Sequence, residues 1–150
     1  MKTFKSFLLS LIFILVFNAF SYGQDQYTVT LKCNVAALQA DNPPYQVCQF
    51  TDQEPGTDTR EYTIYAEVGD TIIWDGESSD GMAAIDIRKI KYGKGTNVFN
   101  DRELDGETTV TGTIEHNTND KPYKYKISFK INNTGKTYTI DPKIIVRGGK

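Results

Sequence analysis

Apolar and polar residues alternate one for one along most of this chain, and that period leaves few folds open. The clearest run is Tyr123, Tyr125, Ile127, Phe129 and Ile131, with Lys124, Lys126, Ser128 and Lys130 between them. A strand sends successive side chains to opposite faces, whereas a helix repeats near 3.6 residues, so the pattern specifies strands buried on one face. Tyr27, Val29, Leu31 and Cys33 repeat it against Thr28, Thr30 and Lys32, as do Tyr62, Ile64, Ala66 and Val68. Between Ala84 and Tyr92 the phase changes: Ile85 and Ile87 share one face, Ile90 and Tyr92 the other. A β-bulge near Arg88 or Lys89 reconciles the two. Tyr45 to Phe50, Thr71 to Trp74, Val110 to Ile114, Tyr138 to Ile140 and Lys143 to Arg147 complete the strands, and Val35 to Ala40 fits one helical turn.

Turn signals separate these runs: Asn42-Pro43-Pro44, Pro55-Gly56, Gly69-Asp70, Asp105-Gly106, Asn117 to Pro122 and Asn133-Thr134-Gly135. Seven to nine strands at such intervals predict an all-β fold, an antiparallel β-sandwich of cupredoxin-like or immunoglobulin-like type. No repeat or linker divides the chain, so residues 24–150 read as one domain.

Residues 1–23 read differently. Lys2 and Lys5 precede the uncharged run Phe7–Phe17, and small or polar residues follow at Asn18, Ala19, Ser21 and Gly23. That is the order of a secretory signal peptide, and the run is shorter than the ~20 residues that span a bilayer. Cleavage after Gly23 or Ser21 predicts a secreted or periplasmic protein with no transmembrane segment. Removing Lys2 and Lys5 leaves 15 basic residues against 19 acidic ones. A mild negative balance gives no reason to expect nucleic acid as a partner.

Cys33 and Cys48 are the only cysteines. In an exported chain they read as one disulfide. His116 is the only histidine, lies at a strand end, and has no partner at triad spacing. No phosphate-cradling glycine loop or paired-histidine motif occurs. The sequence therefore nominates no catalytic residue, no metal ligand set and no cofactor.

Two acidic segments carry carboxylates near calcium-loop spacing. Asp101, Glu103 and Asp105 stand at alternate positions before Gly106, but the twelfth position is Gly112, without the bidentate carboxylate such a loop needs. Asp75, Glu77 and Asp80 have ligands at the wrong spacing. Both read first as solvated turns, with calcium as the alternative. Charge is also segregated: residues 51–80 hold nine acidic residues and one basic, Arg60, while residues 121–150 hold eight basic and one acidic, Asp141. Lys124, Lys126 and Lys130 share the polar face of their strand. Lysines there commonly protect an edge or pair with carboxylates across strands, and a basic face for an anionic glycan is the functional alternative.

Glu67-Val-Gly-Asp-Thr-Ile-Ile-Trp74 is similar to the Val-Gly-Asp-Thr-Val-x-Trp strand pair of cupredoxin-like sandwiches, and Tyr138–Val146 resembles the last strand of such a domain. The resemblance implies the fold without the copper, because no histidine, cysteine or methionine stands where that family places its ligands. Glu54-Pro55 and Asp141-Pro142 resemble the dipeptides for which a bacterial family is named. These readings together predict a non-catalytic binding or adhesion module for an extracellular or envelope ligand, a glycan or a protein. The expected contacts come from the Asp75–Gly81 and Gly93–Asp105 loops. Trp74 serves either as a sugar-stacking platform or as the core tryptophan. A calcium-dependent carbohydrate-binding module, or a small hydrolase using the acidic loops, is the rival.

Overall fold

The computed structural model describes residues 23–147. Apart from Gly23, the signal-peptide reading lies outside the described residues. Ten strands form two packed sheets of four and six strands, an all-β sandwich with more strands than the turn spacing predicts. In the first sheet β1 (Gln26–Cys33) lies between β2 (Cys48–Phe50) and β4 (Thr71–Ser78), and β7 (Val110–Thr113) borders β4. The second sheet runs β3 (Thr63–Ala66), β10 (Lys143–Val146), β8 (Tyr123–Ile131), β5 (Ile85–Lys94) and β6 (Glu103–Asp105). The remaining strand, β9 (Thr134–Ile140), pairs with β8.

The sheets are mixed, not purely antiparallel. β1 pairs parallel with β4, and β3 pairs parallel with β10. Parallel neighbours need a long connection, and here the chain leaves β1, passes through β2 and β3 in different sheets, and returns as β4. β9 and β10 share one register against β8, with Ile127 opposite Ile140 and Tyr123 opposite Ile144. Asp141-Pro142 interrupts that line, and the Pro142 carbonyl still accepts the Tyr125 amide at 3.2 Å.

Three local departures have local causes. The strand expected over Tyr45–Phe50 begins as a helical turn, α2 (Pro44–Val47), which follows α1 (Val35–Gln39). Pro44 sits in the first helical turn, where its missing amide hydrogen is not needed and its φ is already helical. β4 continues beyond Trp74 through the expected acidic loop, because all eight of its residues pair with β1, from Gln26 opposite Thr71 to Cys33 opposite Ser78. Asp105-Gly106 is not a hairpin turn: β6 and β7 belong to different sheets, so this corner carries the chain across the sandwich.

Gly76 lets β4 bend toward β5. A Cβ there would stand 2.2 Å from the Ile85 carbonyl oxygen, and the Glu77–Ala84 bridge follows it. The Gly69–Asp70 turn is closed by the buried Asp70 carboxylate, which accepts the amides of Glu67 at 2.7 Å and Asp25 at 3.1 Å. The β5 phase change is a bulge, with the register against β8 shifting between Ile87 and Lys89 and leaving Arg88 extra.

Between the sheets, Trp74 meets Phe99 and Tyr125 edge to face at 5.8 and 5.7 Å between centroids, and Tyr123 stacks beside Tyr125. The free side of β2 is closed by side chains. Gln53 accepts the Phe50 amide at 3.2 Å, and the Thr59 hydroxyl donates to the Cys48 carbonyl at 2.5 Å. That arrangement removes an edge other chains can pair with. Gln53→Ala is expected to lower stability by about 2 kcal/mol, as a buried amide loses its acceptor, which urea unfolding measures.

Cys33 faces Cys48 directly across β1 and β2, and the two form a disulfide. It closes the segment that carries both helical turns. Closing a loop of about 15 residues is worth ~3 kcal/mol in the chain-entropy treatment. Replacing both cysteines by serine is expected to cost about that much in a urea titration; an unchanged midpoint would show the clamp to be redundant.

Candidate functional site

The alternation of β8 that buries Tyr123, Tyr125, Ile127, Phe129 and Ile131 turns Lys124, Lys126 and Lys130 outward. On β5 the bulge at Arg88 places Lys89 and Lys91 on that same outer face. A second register shift between Tyr92 and Lys94 brings Lys94 opposite Lys124. Gly93 makes the shift possible, since a Cβ there would stand 2.7 Å from the Lys124 carbonyl oxygen.

The pairings put like charges together. Lys91 faces Lys126, and Lys124 lies between Lys94 on one side and Lys143 on the other. Like charges directly opposite each other destabilise a sheet. Lys130 does face a carboxylate, Asp86, but for Lys124 and Lys126 the reasons commonly given for strand lysines fail, because β8 is an interior strand with no edge to protect and the residues opposite them are lysines.

Part of the charge is neutralised from the flanks. β6 places Asp105 opposite Lys89 and Glu103 opposite Lys91. Lys89 pairs with Glu103 and, at 3.3 Å, with Asp105; Lys91 reaches Glu103 at 3.6 Å, and Lys143 pairs with Glu61. Hydrogen bonding to Lys89 holds the Glu103 carboxyl below its usual range, and Lys143 does the same to Glu61. Lys94, Lys124 and Lys126 form no ion pair among the described residues. They line a cavity of about 860 Å³ together with Arg60, Lys89, Lys91, Tyr92, Ser128 and the carboxylates of Glu61, Glu103 and Asp141.

Arg60 is held from two sides. Its Nε donates to both Asp58 carboxylate oxygens, at 2.9 and 3.1 Å, and its guanidinium carbon lies 3.8 Å from the centre of the Tyr45 ring. A planar guanidinium suits this combination of carboxylate fork and aromatic stacking. A 3₁₀ turn over Thr59–Glu61 carries Arg60, and the Asp58 carboxylate caps it through the Arg60 amide at 2.8 Å. These bonds from Arg60, side chain first and then amide, pull Asp58 down to about 2. Because the folded value lies below the ordinary aspartate value of 3.8, the clamp is fully formed above that pH and is lost as pH falls through about 2. An NMR titration should place the Asp58 midpoint near 2; a midpoint near 3.8 would mean that Arg60 swings free in solution.

Arg60 also lines a second cavity, of about 1230 Å³, along β2 and the loop before the 3₁₀ turn. Its walls include Gln46, Gln49, Thr57 and Ser79, and among the described residues its only charged members are Lys32, Asp58 and Arg60. Lys32 pairs with Glu77 at 3.2 Å.

Of the residues singled out from sequence, Lys124, Lys126 and Glu103 line the first cavity, and the others fall elsewhere. Trp74 is fully buried, with its indole Nε1 donating to the Tyr125 hydroxyl at 3.2 Å, so it offers no ring to a ligand. Asp75 and Glu77 lie on β4, where Asp75 accepts the Gly76 amide and Glu77 pairs with Lys32. Asp80 accepts the Met82 amide at 3.0 Å, which fixes the turn after β4. Glu103 and Asp105 alternate on a strand and face β5 lysines, with which they pair. Asp101 is exposed, and its carbonyl accepts the Asn97 side chain. His116 is exposed with its amide on the Val98 carbonyl. No group of three metal-ligating side chains occurs among the described residues. Lys91, Lys94, Tyr45 and Arg60 are not among the site candidates that the sequence offers. The usable signal was two lysine-rich strands, β5 and β8, together with the Asp58-x-Arg60 spacing.

No family model matches the chain, and no curated protein does. A solved structure does: the inclusion body protein PixA from Burkholderia cenocepacia superposes with a TM-score of 0.62 at 10% identity, covering 85% of this chain and 98% of that one. A likeness at that identity is one of fold.

Proposed function

We propose that this protein is an exported, non-catalytic binding module whose ligand is a polyanion, with an anionic glycan as the chemistry that fits best. The observation that carries the reading is the side-by-side placement of Lys94, Lys124 and Lys126 on an interior strand pair, with no carboxylate paired to any of them among the described residues. A sheet that keeps like charges opposed bears a standing electrostatic cost, and a polyanion bound across them removes it. Export is supported by the Cys33–Cys48 disulfide and by the leader-like residues 1–23. No described helix is long and apolar enough to cross a membrane.

The rival built on the acidic segments has less support, since Glu77, Glu103 and Asp105 are paired to lysines and Asp80 holds a turn. The name of the PixA neighbour describes that protein and brings no ligand to this one.

Three polymers of one backbone test the proposal: dextran sulfate, carboxymethyl dextran and neutral dextran, each immobilised and presented with the purified protein. Both charged polymers should retain it at low ionic strength and release it as salt rises past about 0.15 M, where the Debye length is ~8 Å. Neutral dextran should not retain it. Failure of both charged polymers at low salt, or equal binding to the neutral one, would overturn the proposal.

A further inference from the structure

Resting on that reading, we infer that the lysine groove and the cavity along β2 are two parts of one binding trough joined at Arg60. Its ligand is then a linear anionic glycan several sugars long, not a single anionic group. Arg60 lines both cavities, so a ligand leaving the groove on that side meets its guanidinium before it reaches β2. The group is already immobilised, by Asp58 through Nε and by the face of Tyr45. Its Nη1 donates to no other group among the described residues. A cation fixed in place beforehand loses little conformational freedom when an acidic group docks on it.

Size points to a chain. The two volumes, about 860 and about 1230 Å³, are each comparable to or larger than the ~300–1,000 Å³ pocket of a drug-sized ligand. The chemistry of the halves differs in a way that suits a polysaccharide. The groove presents ammonium groups for charged substituents. The β2 cavity presents neutral donors and acceptors: the exposed Gln46 side chain, which makes no hydrogen bond among the described residues, the Oε1 of Gln49, and Ser79. Amides and hydroxyls of that kind match the hydroxyls of sugar rings, each group acting as donor, acceptor or both. An acidic peptide would find ammonium groups for its carboxylates in the groove and little to pair them with along β2.

Oligogalacturonides of two to ten units, titrated calorimetrically into the full protein, test the inference. Affinity should climb at least tenfold between the shortest oligomers and those long enough to pass Arg60, then level off. Arg60→Gln should remove that climb. Gln46→Glu, which changes an exposed side chain outside the lysine groove, should weaken the long oligomers about two- to fivefold by placing a negative charge in the second cavity, and should leave the short ones, held in the groove, unchanged. Affinity independent of length, or a Gln46→Glu variant that binds long oligomers normally, would overturn the joined trough while leaving the groove proposal standing. Absence of binding to every oligomer and to the charged dextrans would instead remove the groove proposal itself. Poly-glutamate binding as tightly as the glycan, and insensitive to Gln46→Glu, would identify an acidic protein segment as the partner and overturn the glycan assignment.

Discussion

Replacing Trp74 with alanine should lower the melting temperature by on the order of 15 °C, a loss of at least about 4 kcal/mol for a domain of this size. The indole is fully buried between the sheets and touches Phe99 and Tyr125 edge to face. Its removal deletes a large apolar area and leaves a cavity that the surrounding strands cannot fill without breaking register. It also removes the 3.2 Å hydrogen bond to the Tyr125 hydroxyl. That hydroxyl is fully buried, and burial pushes its pKa well above the ordinary tyrosine range, so it stays protonated and needs a partner. Tyr125→Phe separates the two contributions: it keeps the ring and leaves only the indole N–H unpaired, for about 1–3 kcal/mol. Calorimetric melts of both variants decide the matter. An unchanged melting temperature for Trp74→Ala, accompanied by lost binding, would return the tryptophan to the role of a ligand platform.

The second large effect should be on binding. Changing Lys94, Lys124 and Lys126 together to glutamine is expected to weaken binding to dextran sulfate by about 10–100-fold. Exposed ion pairs contribute roughly 0.2–1 kcal/mol each, so three together are worth about 0.6–3 kcal/mol, and the 10–100-fold expectation takes the upper half of that range, about 1.4–2.7 kcal/mol. The same variant should be at least as stable as the parent. Lys94 and Lys124 face each other across the strands, and Lys126 faces Lys91, so neutralising them relieves repulsion. The slope of affinity against salt should flatten as well, because fewer charges meet the polymer. These opposite signs, weaker binding with equal or higher stability, set a ligand site apart from a structural one. A variant that melts several degrees lower would mean that the lysines support the sheet through their stems. One that binds normally would move the site elsewhere.

Sequence and structure answer different questions about this chain, and the boundary between them follows physical range. Alternation is local, so the buried face of β8 could be read residue by residue, and the phase change in β5 pointed to a bulge near Arg88 or Lys89, where the register shifts between Ile87 and Lys89. Two cysteines, in a chain whose sequence reads as exported, left one disulfide to form, and it forms between directly opposed positions on β1 and β2. The polar side of a strand carries no such message. Whether Lys126 meets a carboxylate or another lysine depends on which strand lies beside it and in what register, and that is set by pairings dozens of residues away.

The same reason hid the end of β4. Asp75 to Ser78 looks like a turn by composition, and only the parallel partner β1 holds it extended. Glu103 and Asp105 gave a calcium-like spacing because strand alternation and alternate ligand positions share a period of two. The lysines of β5 decide between those meanings. Arg60 was one basic residue in an acidic stretch until the fold set it against Tyr45 and between two cavities. Local periodicity thus determined most of the strands, their inward faces and the sandwich class, but not β6, the helical start of the Tyr45–Phe50 segment or the end of β4. The parallel pairings, the opposed lysines and the place of Arg60 were decided by tertiary structure, since they arise from contacts between segments whose sequences carry no record of one another.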